Sequence, residues 1–347
     1  MKRLLIITVF FISSNFLVGQ TDSKKNFLVN TIAFYNVENL FDTINDPKTW
    51  DDDRTPKGKD KWTSIIYKKK LNNIAKVIAD IGFDLTNQAP SIIGLCEIEN
   101  RRVLEDLIKT ESLIKEDYQI IHYDSPDERG IDVAMLYKQN RFKLSSSKTY
   151  PLYLKRKDGS RDYTRDHLLV SGFLDKDPIH FIINHWPSRS GGQMRSEPSR
   201  ILAGKVNKKI IDSILQSNPK ANIISMGDFN DNPSDKSIKP ILYTTFKKSK
   251  IKEWQLFNPM EELYRKGYGS YRYRDKWDMI DQFFLSKNLV DNKNGLFFLK
   301  ASVFNKKYLI NPSGKYEGYP FKSFAGGKFL NGYSDHFPIY LYLAKEY

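Results

Sequence analysis

From Thr31 onward, short apolar and β-branched runs alternate with polar stretches and with segments of helical spacing, and no unit recurs at a fixed period. Residues 31–37, 91–98, 118–123, 131–137, 167–174, 179–185, 221–226, 280–286 and 337–343 predict strands. Leu71, Ile74, Ile78 and Ile81 recur at helical spacing, as do Ile201 or Leu202, Val206, Ile210 and Ile214, which predicts two amphipathic helices with one buried stripe each. Runs such as IHFIINH and FPIYLYL leave one face for a second sheet and one for helices. That pattern predicts two packed sheets flanked by helices. Residues 42–62 and 304–333 predict long surface loops.

The N-terminus departs from this pattern. Lys2 and Arg3 precede an apolar stretch that Ser13 and Ser14 interrupt, which predicts a secretory signal peptide over 1–20, a linker over 21–30 and one catalytic domain over 31–347. The apolar run falls short of the roughly 20 residues a span needs, no cysteine follows it to carry a lipid, and no other segment predicts membrane insertion. The expected location is periplasmic or secreted.

The chain has 347 residues, 40% hydrophobic and 28% charged, enough apolar material for a packed core and too much for a disordered chain. A formal charge of +14, or +12 once residues 1–20 with Lys2 and Arg3 are removed, predisposes the surface to anionic partners. Cys96 is the one cysteine, which excludes an intramolecular disulfide and a thiolate zinc cage. Inside SIIGLCEI it reads as a small buried hydrophobe. Nothing points to an obligate protein partner.

Candidate chemistry collects at strand ends. Asn36 and Glu38 follow IAFY, Glu97 ends SIIGLC, His185 ends IHFIIN, and Asp228 with Asn230 ends NIISMG. Asp281 opens QFFLS, and Asp335 with His336 precedes FPIYLYL. Polar tips on hydrophobic strands would ring one rim of a sandwich, a plausible catalytic cleft. Hard oxygen donors such as Glu97 and Asp335 suit Mg²⁺, with Mn²⁺ or Ca²⁺ as alternatives, and the chemistry they suit is phosphoester hydrolysis. A histidine supported by an aspartate, as His336 and Asp281 could be, accepts a proton from water. Asn36 and Asn230 can position a phosphate oxygen or water without adding negative charge.

GLCEIEN, NHWPSRSGG, MGDFND, IDQFF and GYSDHFP, in this order, resemble the endonuclease/exonuclease/phosphatase family, with its deoxyribonuclease I-like fold. The resemblance implies an α+β, four-layer αββα sandwich. It implies that Asn36 and Glu97 hold the metal with Asp335 nearby, and that Asp228 and Asn230 orient or activate water and contact phosphate. His336 with Asp281 would form the acid/base dyad, and His185 would bind phosphate or assist the leaving group. Which histidine is the acid and which the base stays open.

Other groups have plainer readings. Arg129 is a phosphate contact or a surface ion pair, and Arg189, beside Gly191 and Gly192, is a phosphate contact or a solvated loop arginine. Residues 268–277 (YGSYRYRDKW) interleave aromatics with cations, either to stack bases and neutralise phosphates or to put one face in the core. Asp51, Asp52 and Asp53 lack the spacing of a calcium loop and read as solvated, as do Lys68 to Lys70. His122, His167 and His180 read as structural or surface residues. The expected function is that of a divalent-metal-dependent phosphodiesterase, foremost a nuclease acting on DNA or RNA. A phosphatase or phosphodiesterase for small or lipid phosphoesters is the alternative, and a non-catalytic nucleic-acid-binding protein the more distant one.

Overall fold

The computed structural model describes residues 26–347 apart from 292–293. The expected leader 1–20, and 21–25 of the expected linker, lie outside the described residues. All nine predicted strands are present, within a six-stranded and a seven-stranded sheet. The first sheet runs Phe297–Val303, Ile339–Glu346, Phe27–Leu40, Ile92–Ile98, Asp132–Lys138, Tyr118–His122. The second runs Thr244–Thr245, Leu256–Phe257, Asp281–Leu285, Ile223–Asp228, Asp177–His185, His167–Leu174, Phe142–Tyr150. The sheets pack face to face with helices outside, the expected four-layer α+β sandwich.

Several boundaries differ from the sequence reading. The first strand starts at Phe27, because residues 27–30 pair antiparallel with the last strand, Phe27 opposite Glu346. The assigned linker therefore ends by residue 26. Phe142–Tyr150 and Phe297–Val303 are strands the pattern did not predict. Both lie on sheet edges, where one partner suffices and exposed polar residues such as Ser145 and Lys300 hide the alternation.

The core fills the space between the sheets with Phe34, Phe181, Met226, Phe283 and Leu341, all fully buried. Each such side chain contributes roughly 1.5–3 kcal/mol on burial. Gly94 sits where a Cβ would come within 3.1 Å of Met226 Cε and 3.4 Å of Ile183 Cγ1, so a larger residue there would wedge the sheets apart. The helix Ser64–Asp80, capped by Thr63 accepting from Ile66 N, buries Leu71, Ile74 and Ile78 as expected. The helix Gln193–Ser217 keeps most of the expected stripe, with Ile210 buried and Val206 and Ile214 partly buried against the core, and turns a polar edge inward beside it. Arg200, Ala203, Asn207, Ile210 and Ile211 are buried, while Leu202 is exposed. Two polar residues with buried partners, Arg200 to Asp231 at 2.8 Å and Asn207 to Ser225 at 2.9 Å, set that face against the hydrophobic pattern.

Strand direction then fixes the site. Phe27–Leu40 is parallel to Ile92–Ile98, and Asp177–His185 is parallel to Ile223–Asp228, so Asn36, Glu97, His185 and Asp228 reach the same rim. Asp281 begins a strand antiparallel to Ile223–Asp228 and lies directly opposite Asp228. The last strand is antiparallel to the first, which brings its leading residues Asp335 and His336 to that rim as well.

Candidate active site

His336 and Asp281 form a buried pair, Nδ1 to Oδ2 at 2.7 Å. The imidazole is fixed on three sides. Its own backbone N–H donates to Ser334 Oγ at 3.1 Å, Ser334 donates to Asn36 O at 2.7 Å, and the Tyr271 ring lies 4.9 Å from the imidazole. Nε2 is left 3.9 Å from both Asp228 Oδ2 and Asp335 Oδ1. Burial alone would depress the His336 pKa, but the charge and hydrogen bond of Asp281, backed by Asp228 and Asp335, raise it well above its ordinary value.

Asp228 is the hub. It accepts from Asn36 Nδ2 and from the Asn230 backbone, each at 3.0 Å, and His185 Nε2 lies 3.7 Å away. Burial, and then repulsion from Asp281, push its carboxyl up to about 7. His185 is driven the other way: burial, and then the charges of Arg165, Arg129 and His336, hold its pKa well below the ordinary range and keep the ring neutral. Its Nδ1 has no hydrogen-bond partner among the described residues. The backbone is strained at these tips, with φ of 53° at Glu38, 62° at Glu97 and 51° at Asn230. Such left-handed conformations in non-glycine residues cluster where side chains must be aimed.

The third part of the rim is acidic. Glu97 Oε2 accepts from Asn39 N at 2.9 Å, while Oε1 is 3.8 Å from His185 Nε2. Asp335 lines the cleft with part of its side chain open to solvent, and burial and then Glu38 push its carboxyl up to about 7. Crowded hard oxygen donors whose charges oppose one another fit a divalent cation, and Glu97, Asp335 and Asn36 are the residues that would hold it. Among acidic, histidine and cysteine side chains the tighter groupings fall elsewhere. Asp228, Asp281 and His336 bring donor atoms within 4.8 Å of one another, and so do Cys96, His185 and Asp228. The first includes the His336–Asp281 hydrogen bond, and the second draws on a thiol that burial raises well above its ordinary pKa. Neither matches the all-oxygen set.

Several sequence readings change. Lys70 is fully buried, not solvated: it donates to Glu38 O at 2.7 Å and to Ser323 Oγ at 2.5 Å, and burial lowers its pKa to about 8. Ser323 in turn donates to Glu38 Oε2 from its N–H at 2.6 Å and its hydroxyl at 2.7 Å, tying the late loop to the first strand. Helical spacing already put residue 70 beside Leu71 and Ile74; its charge masked the signal. Arg189 is not a free loop arginine, since Nε donates to Asn230 O at 2.7 Å and the guanidinium meets Asp278 at 3.2 Å and Asp235 at 3.4 Å. It braces the Asn230 turn from behind. Asn230 spends its own Nδ2 on Trp186 O at 3.0 Å. Arg129 keeps a loose pair with Asp127 at 3.8 Å and extends its charge to His185. Asp51 is buried, accepting from Asp46 N at 2.9 Å, because the 42–62 loop folds back on itself, while Asp52 and Asp53 are exposed. The sequence reading missed Arg165, buried between Asp127 Oδ2 and Trp186 O at 2.8 Å each. No short motif marks it. His122 pairs with Asp132 at 2.9 Å, and Asp132 lies opposite Ile98 beside the strand end that carries Glu97.

The chain belongs to the endonuclease/exonuclease/phosphatase family, whose profile matches residues 31–345. Curated proteins give no significant sequence match. Among solved structures, an endonuclease/exonuclease/phosphatase family protein from Bacteroides thetaiotaomicron aligns at 16% identity and a TM-score of 0.54, covering 92% of this chain and 98% of its own. D. rerio TDP2 complexed with a single-strand DNA product aligns at 14% identity and 0.52, covering 91% of this chain and 98% of its own. A mannosyl-6-phosphatase from Bacteroides thetaiotaomicron aligns at 15% identity and 0.53, covering 90% and 99%. At these identities the likeness concerns the fold. No helix among the described residues is long and apolar enough to cross a membrane.

Proposed function

We propose that the protein is a secreted or periplasmic, divalent-metal-dependent phosphodiesterase that hydrolyses nucleic acid. The observation that carries this reading is the Asp281–His336 pair at 2.7 Å, aimed at Asp228 and Asp335. Two groups with raised proton affinities face one space: Asp228, poised near neutrality, can take a proton from the attacking water, and His336, held charged by Asp281, can donate to the phosphate or the leaving oxygen. On this reading His336 is the acid and Asp228 the base. Neutral His185 and the Asn230 turn line the phosphate position. A divalent cation at Glu97, Asp335 and Asn36 would supply charge neutralisation for the phosphate. The surplus of +12 left once residues 1–20 are removed favours a polyanionic substrate, and a leader over 1–20 supports export.

The test offers the mature protein supercoiled DNA, single-stranded DNA, RNA and small phosphoesters including mannose 6-phosphate, each with Mg²⁺, Mn²⁺ or chelator. Metal-dependent cleavage of nucleic acid is expected. Turnover of small phosphoesters alone would move the assignment to a phosphatase, and full activity after exhaustive chelation would remove the metal.

A further inference from the structure

A cleft of about 550 Å³ opens from the catalytic rim and shares Asp335 and Tyr271 with it. One wall is the hairpin Tyr271–Tyr273 with Lys276–Asp278, and the other is the late loop with Lys315, Tyr316, Tyr319 and Lys322. The hairpin turns at Arg274 and Asp275, both left-handed at φ 47° and 61°, which puts Arg274 at its tip.

The cleft is mainly cationic and aromatic, with Asp275 and Asp335 as the carboxylates in its lining. Arg272 is stacked 4.4 Å from the Tyr319 ring centroid and 5.4 Å from that of Trp277, and its nearest carboxylate, Asp275, stands 3.7 Å off. Arg274, Lys315 and Lys322 pair with no carboxylate among the described residues, whereas other surface lysines such as Lys208 and Lys266 do. Tyr273 and Tyr316 keep about half of their surface open, at 54% and 46%. A separate pocket, near the strand end that carries Glu97, has the opposite sign, with Asp42, Asp46, Glu99, Asp124, Asp127 and Asp132 in its lining. A polyanion leaving the catalytic centre would therefore meet attraction along the aromatic cleft and repulsion at the acidic pocket.

Resting on the nuclease reading above, we propose that this cleft is the subsite for an unpaired nucleotide next to the scissile phosphate. Its base lies against Tyr273 or Tyr316, and its phosphate is neutralised by Arg274, Lys315 and Lys322. Each ring carries a cation over part of its surface, Arg274 5.3 Å from the Tyr273 centroid and Lys315 and Lys322 5.7 and 5.9 Å from that of Tyr316, and the exposed remainder needs an unpaired base, because a duplex keeps its bases stacked inside.

The test measures binding in the presence of chelator, so that no turnover is required. Fluorescence polarisation compares a labelled oligothymidylate, an abasic oligomer of equal length and charge, and a duplex, with mannose 6-phosphate as competitor. The oligothymidylate should bind about tenfold or more tightly than the abasic oligomer and than the duplex. Tyr273→Leu with Tyr316→Leu should bring that ratio close to one. Should the double variant fail to fold, Tyr273→Leu alone should reduce the ratio, since that residue sits on an exposed hairpin. Arg274→Ala with Lys315→Ala should lower the salt slope by about 1.4, from roughly 0.7 per phosphate contact. Equal binding of thymidylate and abasic oligomers, an unchanged ratio in the folded tyrosine variants, or full competition by mannose 6-phosphate would overturn the subsite. A protein that binds as expected yet hydrolyses no phosphoester with any metal would instead overturn the catalytic reading and leave the subsite standing.

Discussion

The two ends of the sandwich use similar residues to opposite effect. At the far end, Arg141 donates to Asn30 Oδ1 at 3.1 and 3.0 Å and to Val29 O at 3.2 Å, and pairs with Asp175 at 3.3 Å. Lys345 binds Asp177 at 2.9 Å and Asp175 O at 3.1 Å. Arg141 and Lys345 each meet an opposite charge there, and the left-handed Asp175 and Lys176 form the two-residue turn between adjacent strands. At the catalytic end, Asp228, Asp281, Glu97 and Asp335 crowd one another, and His185 Nδ1 and Asp281 Oδ1 lack partners. One end is arranged for stability. The other holds unfavourable charge and strain in place, which a cation and a phosphate would relieve on the function proposed above.

The largest effect that tests this contrast is on rate. His336→Ala should lower kcat by roughly three to four orders of magnitude, and Asp281→Asn by a comparable amount, because an amide can hold the ring but cannot keep it charged. The double variant should lose little more than either single one, since each change disables the same unit. Measured kcat values for all three forms decide the matter. A double loss equal to the product of the single losses would show two independent residues.

Histidines at the same end sharpen the comparison, because His167 starts a strand at the catalytic rim yet turns toward the long helix. It contacts Ala203 O at 3.2 Å, and burial lowers its pKa to about 4 from 6.5. A histidine that stays neutral in the folded state but protonates when unfolded contributes stability above pH 6.5, lost as pH falls toward 4. The loss should approach about 3 kcal/mol. Urea unfolding across that range should show it, and His167→Gln should flatten the slope. A parallel slope in the variant would assign the acid sensitivity to other groups.

The sequence exposes one end of the molecule better than the other. Asn36, Glu97, His185, Asp228, Asp281 and His336 were legible because each is a polar residue ending or opening an apolar run, and strand direction alone carries such residues to one rim. Lys70 and Arg189 were not, because their environments come from distant segments: Ser323 for the first, Asp235 and Asp278 for the second. The polar edge beside the Gln193–Ser217 stripe was missed for a related reason, since Arg200 and Asn207 face inward only once Asp231 and Ser225 are there to receive them.

A smaller effect is expected at the far end. Arg141→Ala removes an ion pair and the donors of Asn30 Oδ1 and Val29 O, at a site that is mostly but not fully buried. The expected cost is about 1–2 kcal/mol of stability, with kcat and the metal requirement intact. Thermal unfolding beside a rate assay checks both. A large fall in kcat in a well-folded variant would mean that the ends are coupled, contrary to the division argued above.

The smallest predicted change has the opposite sign. Asp335 faces Glu38 and Glu97, and its carboxyl is raised to about 7 by burial and by that repulsion. Asp335→Asn removes one of these charges without removing much volume, so the metal-free variant should be more stable than the wild type. With about a third of the side chain open to solvent, screening reduces the gain to about 1 kcal/mol. Saturating Mg²⁺ should reverse the order, because the cation binds the wild-type donor set more tightly and stabilises the folded state by that binding. Thermal unfolding of both proteins, with chelator and with Mg²⁺, gives the four values needed. If the variant were less stable under both conditions, Asp335 would be a structural residue, and the charge crowding that distinguishes the catalytic end would have to reside in Glu97 and Asp228 alone.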